Sequence, residues 1–232
     1  MLVVGFPAAA FDTNCFVVAP AAGAECVIVD PGIGVDVDLD AVLREHRLRP
    51  VAVLLTHGHL DHTFSVTPVC GARGITAYIH PDDRELLADP AKGFGSGMVE
   101  LFGGRLTWTE PADVAPLGDG GVVELAGLSI TVDHAPGHTR GSVMFRLPGS
   151  SPPEPVTLLS GDVLFAGSIG RTDLPGGDYP TMLRSLATKV LPLADDTVVL
   201  PGHGPSTTIG RERVINPFLQ EAKPHAAPAR GL

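Results

Sequence analysis

A continuous apolar run at residues 51–56 passes directly into His57-Gly58-His59-Leu60-Asp61-His62. Such a run predicts a strand buried on both faces, at the centre of a sheet covered on either side. The residues after it confine what that strand's end can do, because four candidate metal ligands fall within six positions. Three are imidazoles, which bind borderline metals through a neutral ring nitrogen. One is a carboxylate, a hard oxygen ligand that suits zinc, iron or manganese. A structural zinc site closes its tetrahedron largely with cysteines, and this cluster has none. A His/Asp set of this kind can keep a coordination position open for water.

Three later residues complete the pattern. His138 lies in Ala135-Pro136-Gly137-His138-Thr139, Asp162 in Leu159-Ser160-Gly161-Asp162, and His203 in Leu200-Pro201-Gly202-His203-Gly204. Each follows a strand-like run beside a glycine, where a rigid strand end can hold a ligand and the backbone leaves room for it. With His57, His59, Asp61 and His62 this makes seven candidates, five imidazoles and two carboxylates. One catalytic zinc takes three protein ligands and a water. Seven ligands fit two ions with three terminal ligands each and one bridging carboxylate, roughly 3.5–4 Å apart, a pair able to clamp both ends of a hydrolytic transition state.

Other histidines read differently. His134 and His138 have the H-x-x-x-H spacing of a helical metal pair, but Pro136-Gly137 breaks any such helix, so His134 is expected behind the ligands or in the core. His46 and His225 read as surface residues, and His80, before Pro81, as a helix start. Ser142 and Ser160 lack the surroundings of a nucleophilic serine. Cys15 and Cys70 lie in apolar stretches and read as inert core thiols.

The pattern resembles the metallo-β-lactamase-fold hydrolases, from Asn14-Cys15-Phe16 to the segment around His203. That resemblance implies a four-layer αββα sandwich, an α/β fold of two mixed sheets with helices outside, and a site at one edge. It assigns His57, His59 and His138 to a first metal and Asp61, His62 and His203 to a second, with Asp162 as the bridge. The cofactors implied are two divalent metal ions, zinc first, with iron or manganese as alternatives.

Within that group the chain is most similar to glyoxalase II (hydroxyacylglutathione hydrolase) and its shorter bacterial relatives. The similarity is carried by Ser160-Gly161-Asp162-Val163-Leu164-Phe165, Gly167-Ser168-Ile169-Gly170-Arg171-Thr172-Asp173 and Pro201-Gly202-His203-Gly204-Pro205. It implies a metal-dependent thioester hydrolase that cleaves small 2-hydroxyacyl thiol conjugates with a hydroxide bridging two metals. Asp61 and Asp162 are then catalytic, Asp61 orienting the hydroxide as well as binding metal. Arg171 falls where glyoxalase II has a basic residue for the thiol carrier's carboxylate, and residues 174–179 form a second candidate contact. Asp173 replaces a tyrosine of that family, and only 29 residues follow His203, where glyoxalase II has a helical segment with basic substrate contacts. The alternatives are a mononuclear iron persulfide dioxygenase, which shares much of the ligand set, and a lactone or phosphodiester hydrolase on the same site. A non-enzymatic binding module would be expected to have lost ligands.

The resemblance implies a small-molecule thioester as the partner, and composition argues against nucleic acid and membranes. Asp and Glu outnumber Lys and Arg 26 to 16, a net charge of −10 that repels nucleic-acid phosphates and anionic membranes. The aromatic residues, Trp108 among them, form no basic-aromatic patch. No apolar stretch is long enough to span a bilayer. The apolar residues 1–10 lack the basic start of a signal peptide and read as a first strand. Three scattered cysteines fit a reducing compartment, hence a cytoplasmic protein. The sequence assigns no oligomeric state.

With 232 residues, 44% of them hydrophobic, one domain can bury its own core. Residues 1–232 read as a single domain with a flexible tail from about 222, and 28 glycines and 22 prolines predict short elements with many turns. Strands are expected at 16–20, 26–30, 51–56, 75–79, 122–125, 128–133, 142–147, 156–159 and 197–200. Helices are expected at 36–48, where Val37, Val42, Leu43 and Leu48 recur at near-helical spacing, from 63, and at 81–88, 179–190 and 210–220. Residues 148–155 read as a hairpin connection.

Overall fold

The computed structural model describes residues 1–94, 109–149 and 154–223. The first sheet is built in chain order from β1 (Leu2–Pro7), β2 (Asn14–Ala19), β3 (Glu25–Val29), β4 (Arg49–Leu54), β5 (Thr76–Ile79) and β6 (Val114–Pro116). β1 to β3 pair antiparallel and β3 to β6 pair parallel. Helix α1 (Asp36–Glu45) carries the chain from β3 to β4, and α2 (Leu60–Thr63) and α3 (Val66–Arg73) from β4 to β5. Helices α4 (Arg84–Ala88) and α5 (Ala91–Phe94) follow β5.

The second sheet holds β7 (Val122–Leu125), β8 (Leu128–His134), β9 (Val143–Leu147), β10 (Thr157–Gly161), β11 (Val198–Pro201) and β12 (Thr207–Thr208). Only β10 and β11 run parallel in it. Helix α6 (Tyr179–Ser185) runs on as a π-helical turn (Leu186–Val190). Helices α7 (Ile209–Ile215) and α8 (Pro217–Ala222) end the described chain.

Strand alternation sorts the core into layers. Phe16, Val18, Val27, Val29, Ala52 and Leu54 face Ile130, Val132, Val143, Phe145 and Leu159 between the two sheets. The intervening residues Cys15, Val17, Cys26, Ile28 and Val53 pack outward against Leu39 and Leu43 of α1 and Val66 and Val69 of α3. Met144, Leu158 and Val199 pack outward against Met182 and Leu183 of α6 and Leu219 of α8. The result is the expected αββα sandwich, and central strands buried on both faces explain the unbroken apolar run at 51–56.

Several expectations need correction. In α1 the buried stripe is Leu39 and Leu43, whereas Val37 is 78% exposed. The final helix is two, because Pro217 has no N–H to donate and Asn216 caps the second by accepting from Phe218 N. The chain leaves helix between Thr63 and Val66. Ala222, where the expected tail begins, is helical and fully buried; residues 224–232, His225 and Trp108 lie outside the described residues. Residues 148–155 do connect the antiparallel β9 and β10, with 150–153 outside the description. Among the described residues, no helix is long and apolar enough to cross a membrane.

Candidate metal centre

All seven sequence-predicted ligands meet where the loops after β4, β8, β10 and β11 converge. His57 and His59 lie on the segment after β4. Asp61 and His62 sit in α2, where a carboxylate in the first turn also suits the helix dipole. His138 follows β8, Asp162 follows β10 and His203 follows β11. Two glycines permit this crowding. Gly137 has φ 140°, and a Cβ on it would lie 2.5 Å from the Met182 backbone. A Cβ on Gly202 would lie 2.2 Å from Asp162 Oδ1.

The ligand atoms form two triads. His138 Nε2 is 2.9 Å from His59 Nδ1 and 3.2 Å from His57 Nε2. His203 Nε2 is 3.3 Å from His62 Nε2 and 3.1 Å from Asp61 Oδ2. Asp162 stands between them, Oδ1 3.3 Å from His62 Nε2 and Oδ2 3.5 Å from His138 Nε2 and 3.7 Å from His203 Nε2. Within each triad the ligand atoms lie within 4.8 Å of one another.

Four imidazoles are oriented through their far nitrogen. His57 Nδ1 is 3.1 Å from Thr56 Oγ1 and His62 Nδ1 is 2.9 Å from Asp30 Oδ2. His138 Nδ1 is 2.7 Å from the Arg171 carbonyl, and His203 Nδ1 is 3.1 Å from that of Phe11. Each partner leaves Nε2 turned inward, the arrangement that fixes tautomer and ring plane in metal sites. Asp30 also accepts from Thr56 N at 2.8 Å and Thr56 Oγ1 at 2.6 Å, and Thr13 Oγ1 donates to Asp61 Oδ2 at 3.2 Å. Sequence reasoning missed Asp30, Thr56, Thr13 and Phe11. For Asp30 a signal existed: a carboxylate at the end of an apolar run, held here at φ 51°, which reads as a turn residue.

Electrostatics separates the triads. Burial pushes His57 and His59 down, His59 to about 3, so both are neutral lone-pair donors. Burial alone would lower His62, but Asp162, Asp61 and Asp30 outweigh it and hold that imidazole up. His203 is likewise raised against its burial, chiefly by Asp61. Asp61 and Asp162 are held below the usual carboxylate range despite burial, mainly by His62. The buried carboxylates therefore call for positive charge at their centre, which a divalent cation would provide. Asp162 Oδ1 and His59 Nε2 are buried without a hydrogen-bond partner among the described residues. The donor set fits two ions: nitrogens and carboxylate oxygens converge, and in His57, His62, His138 and His203 the far ring nitrogen is already tied.

Residues 8–203 match the family model of the Metallo-beta-lactamase superfamily. The chain belongs to that superfamily. Hydroxyacylglutathione hydrolase GloC of Haemophilus influenzae is 36% identical over 92% of this chain and 95% of its own. An uncharacterized protein of Mycobacterium tuberculosis is 48% identical over 95% and 98%. Among solved structures, the BLEG-1 B3 metallo-beta-lactamase superposes with TM-score 0.81 at 39% identity, covering 94% of this chain and 99% of that one. TTHA1623 in a di-iron-bound form gives 0.76 at 36%, covering 93% and 100%.

In this superfamily member the triads open into a cleft of about 440 Å³. Its walls include Phe11, Leu60, Phe94, Phe165 and Leu174, and Arg171 stands at the same cleft. The Arg171 guanidinium is bound by both oxygens of Asp173, each at 2.7 Å, which holds the Asp173 carboxyl down to about 2. Of the loop 174–179, Leu174 reaches the cleft, while Tyr179 donates to Glu221 instead. His134 lies apart from the seven. Its ring stacks on His80 at 4.0 Å and 8°, and its Nε2 bonds the Arg140 carbonyl. His80 Nδ1 accepts from Asp82 N, capping the turn at Pro81 as expected. Parallel rings direct their in-plane lone pairs side by side, so this pair with Asp82 reads as a stack.

Proposed function

We propose that this protein hydrolyses small acyl thioesters, with 2-hydroxyacyl thiol conjugates as the substrate class. The observation that carries the reading is the pair of ligand triads joined by Asp162 at the base of a largely apolar cleft. The similarity to GloC supports it. Two divalent ions held there would supply Lewis acidity and hydroxide at neutral pH. Zinc is the proposed metal, with iron as the alternative that TTHA1623 illustrates.

The chain's own residues do the rest. His57, His59 and His138 would hold one ion and Asp61, His62 and His203 the other, with Asp162 touching both. Asp61, restrained by Thr13 and His203, would orient the attacking water. Phe11, Leu60, Phe94, Phe165 and Leu174 would receive the apolar body of the substrate and exclude bulk water. A thiolate leaves readily, so no side chain need act as a strong general acid. Arg171 is the proposed contact for a carboxylate on the thiol carrier. All three cysteines are free and buried, in keeping with the cytoplasm as the proposed location.

The test is metal analysis of the purified protein with a thioester panel that varies the thiol half, run beside an oxygen-uptake assay with a persulfide. The expected result is two ions per chain and metal-dependent thioester cleavage without oxygen uptake. One iron per chain with persulfide-dependent oxygen uptake would overturn the reading.

A further inference from the structure

Asp83 is buried to 1% exposure, yet among the described residues no basic side chain bonds its carboxyl group. Its Oδ2 accepts from Gly58 N at 2.8 Å and Thr139 Oγ1 at 2.6 Å, and its Oδ1 accepts from Gly141 N at 2.7 Å. Gly58 lies between His57 and His59, and Thr139 is next to His138. One side chain, projecting from the turn before α4, therefore joins the two segments that carry the whole three-histidine triad. These segments come from different sheets, since the first follows β4 and the second follows β8.

Two glycines let their segments close on this residue, Gly141 on its carboxyl group and Gly58 on its main chain. A Cβ on Gly141 would lie 2.7 Å from Asp83 Cγ, and one on Gly58 would lie 2.9 Å from the Asp83 carbonyl oxygen. Thr139 is held in turn by Ser142, whose Oγ lies 2.7 Å from Thr139 Oγ1 and accepts from Thr139 N at 3.1 Å. The second triad has other supports: Asp30 on His62, Thr13 on Asp61 and the Phe11 carbonyl on His203.

We infer that Asp83 is a positioning residue for the three-histidine ion, setting the spacing of His57 and His59 against His138. A metal site tolerates only about ±0.2 Å in its ligand distances. Loops released from a shared anchor would drift further than that while the sheets stayed joined. They stay joined because Val143 N donates to the Thr56 carbonyl at 2.8 Å independently of Asp83. Removing the carboxyl group should thus reach one ion and spare the other. The inference rests on the two-triad arrangement and not on the thioester assignment, because metal binding is read directly.

The experiment is titration of the metal-free full chain with cobalt(II) against a chromophoric chelator, resolving two binding steps. His59→Ala and His203→Ala assign each step to its triad. Asp83→Ala is expected to weaken the His59-dependent step about 10–100-fold, the range for losing an outer partner of a metal ligand, and to leave the His203-dependent step in place. Thr139→Val, which removes one of the three bonds, should weaken the same step by a smaller factor and keeps the test open if Asp83→Ala does not fold. Leu39→Ala, in the core behind the first sheet, serves as a variant that loosens the fold without touching either loop and should move neither step. Unchanged binding in both Asp83→Ala and Thr139→Val, or an equal loss at both steps, would overturn the inference. So would an equal effect of Leu39→Ala on the His59-dependent step.

Discussion

Asp162 reaches His62 with one oxygen and His138 and His203 with the other. A single carboxylate therefore belongs to both triads, and losing it should disturb both ions. Asp162→Ala is expected to lower metal content at both sites and abolish thioester turnover; unchanged turnover would exclude a bridging role. Arg171 is the proposed contact at the substrate's far end. Its pair with Asp173 is exposed and screened by solvent, so a substrate carboxylate can displace Asp173 at little cost. Arg171→Ala should raise KM several-fold for carboxylate-bearing carriers and leave kcat nearly intact. Asp173→Asn should lower KM for the same carriers and not for uncharged ones. A fall in kcat alone, or no dependence on carrier charge, would remove Arg171 from substrate binding. The candidate ligands were legible because four cluster within six consecutive residues after β4 and His138, Asp162 and His203 each follow a strand beside a glycine. Their orienters were not, since Asp30 meets His62 and Asp83 meets Thr139 across 32 and 56 positions, and no local spacing encodes those meetings.

At the scale of the element, the strands were easier to read than the helices that flank them. Central strands buried on both faces are written as unbroken apolar runs, so β2, β3 and β4 stand out. The strands β6 (Val114–Pro116) and β12 (Thr207–Thr208) are only three and two residues long, too short to show a period. Helix α1 begins where expected but ends at Glu45 and not at Leu48, and its inner face was misjudged because Val37 is as apolar as its buried neighbours. Packing separates them: Leu39 is fully buried between sheet and helix layer, and Val37 faces solvent. Leu39→Ala should therefore cost about 2–5 kcal/mol in chemical unfolding, while Val37→Ala should stay within about 0.5 kcal/mol. Comparable losses in the two variants would contradict this orientation of α1. The break at Asn216-Pro217 teaches the reverse lesson. Apolar spacing there runs on across the break, yet proline's missing N–H ends one helix and starts another.

For the whole molecule, the metal centre is also a joint. His57 and His59 lie beyond the first sheet's β4, and His138 beyond the second sheet's β8. Asp61 and His62 likewise belong to the first half, and His203 to the second. Each ion would therefore cross-link the two sheets at the edge where their inner faces open to the cleft. Ligands that bind only the folded state stabilise it by RT ln(1 + [L]/Kd), about 2.7 kcal/mol per site at one hundred times Kd. In a chain of this size about 1 kcal/mol moves Tm by about 2–4 °C, so each filled site should add roughly 5–11 °C. Removing metal by chelation should lower Tm by that amount or more, and refilling should restore it with a rise that follows the logarithm of free metal. Asp162→Ala should start from the lower Tm and respond weakly to added metal, since its triads no longer share a carboxylate. A wild-type Tm indifferent to metal would mean that the sheets are held together by the buried layer around Phe145 and Leu54 alone, with the ions contributing no link between them.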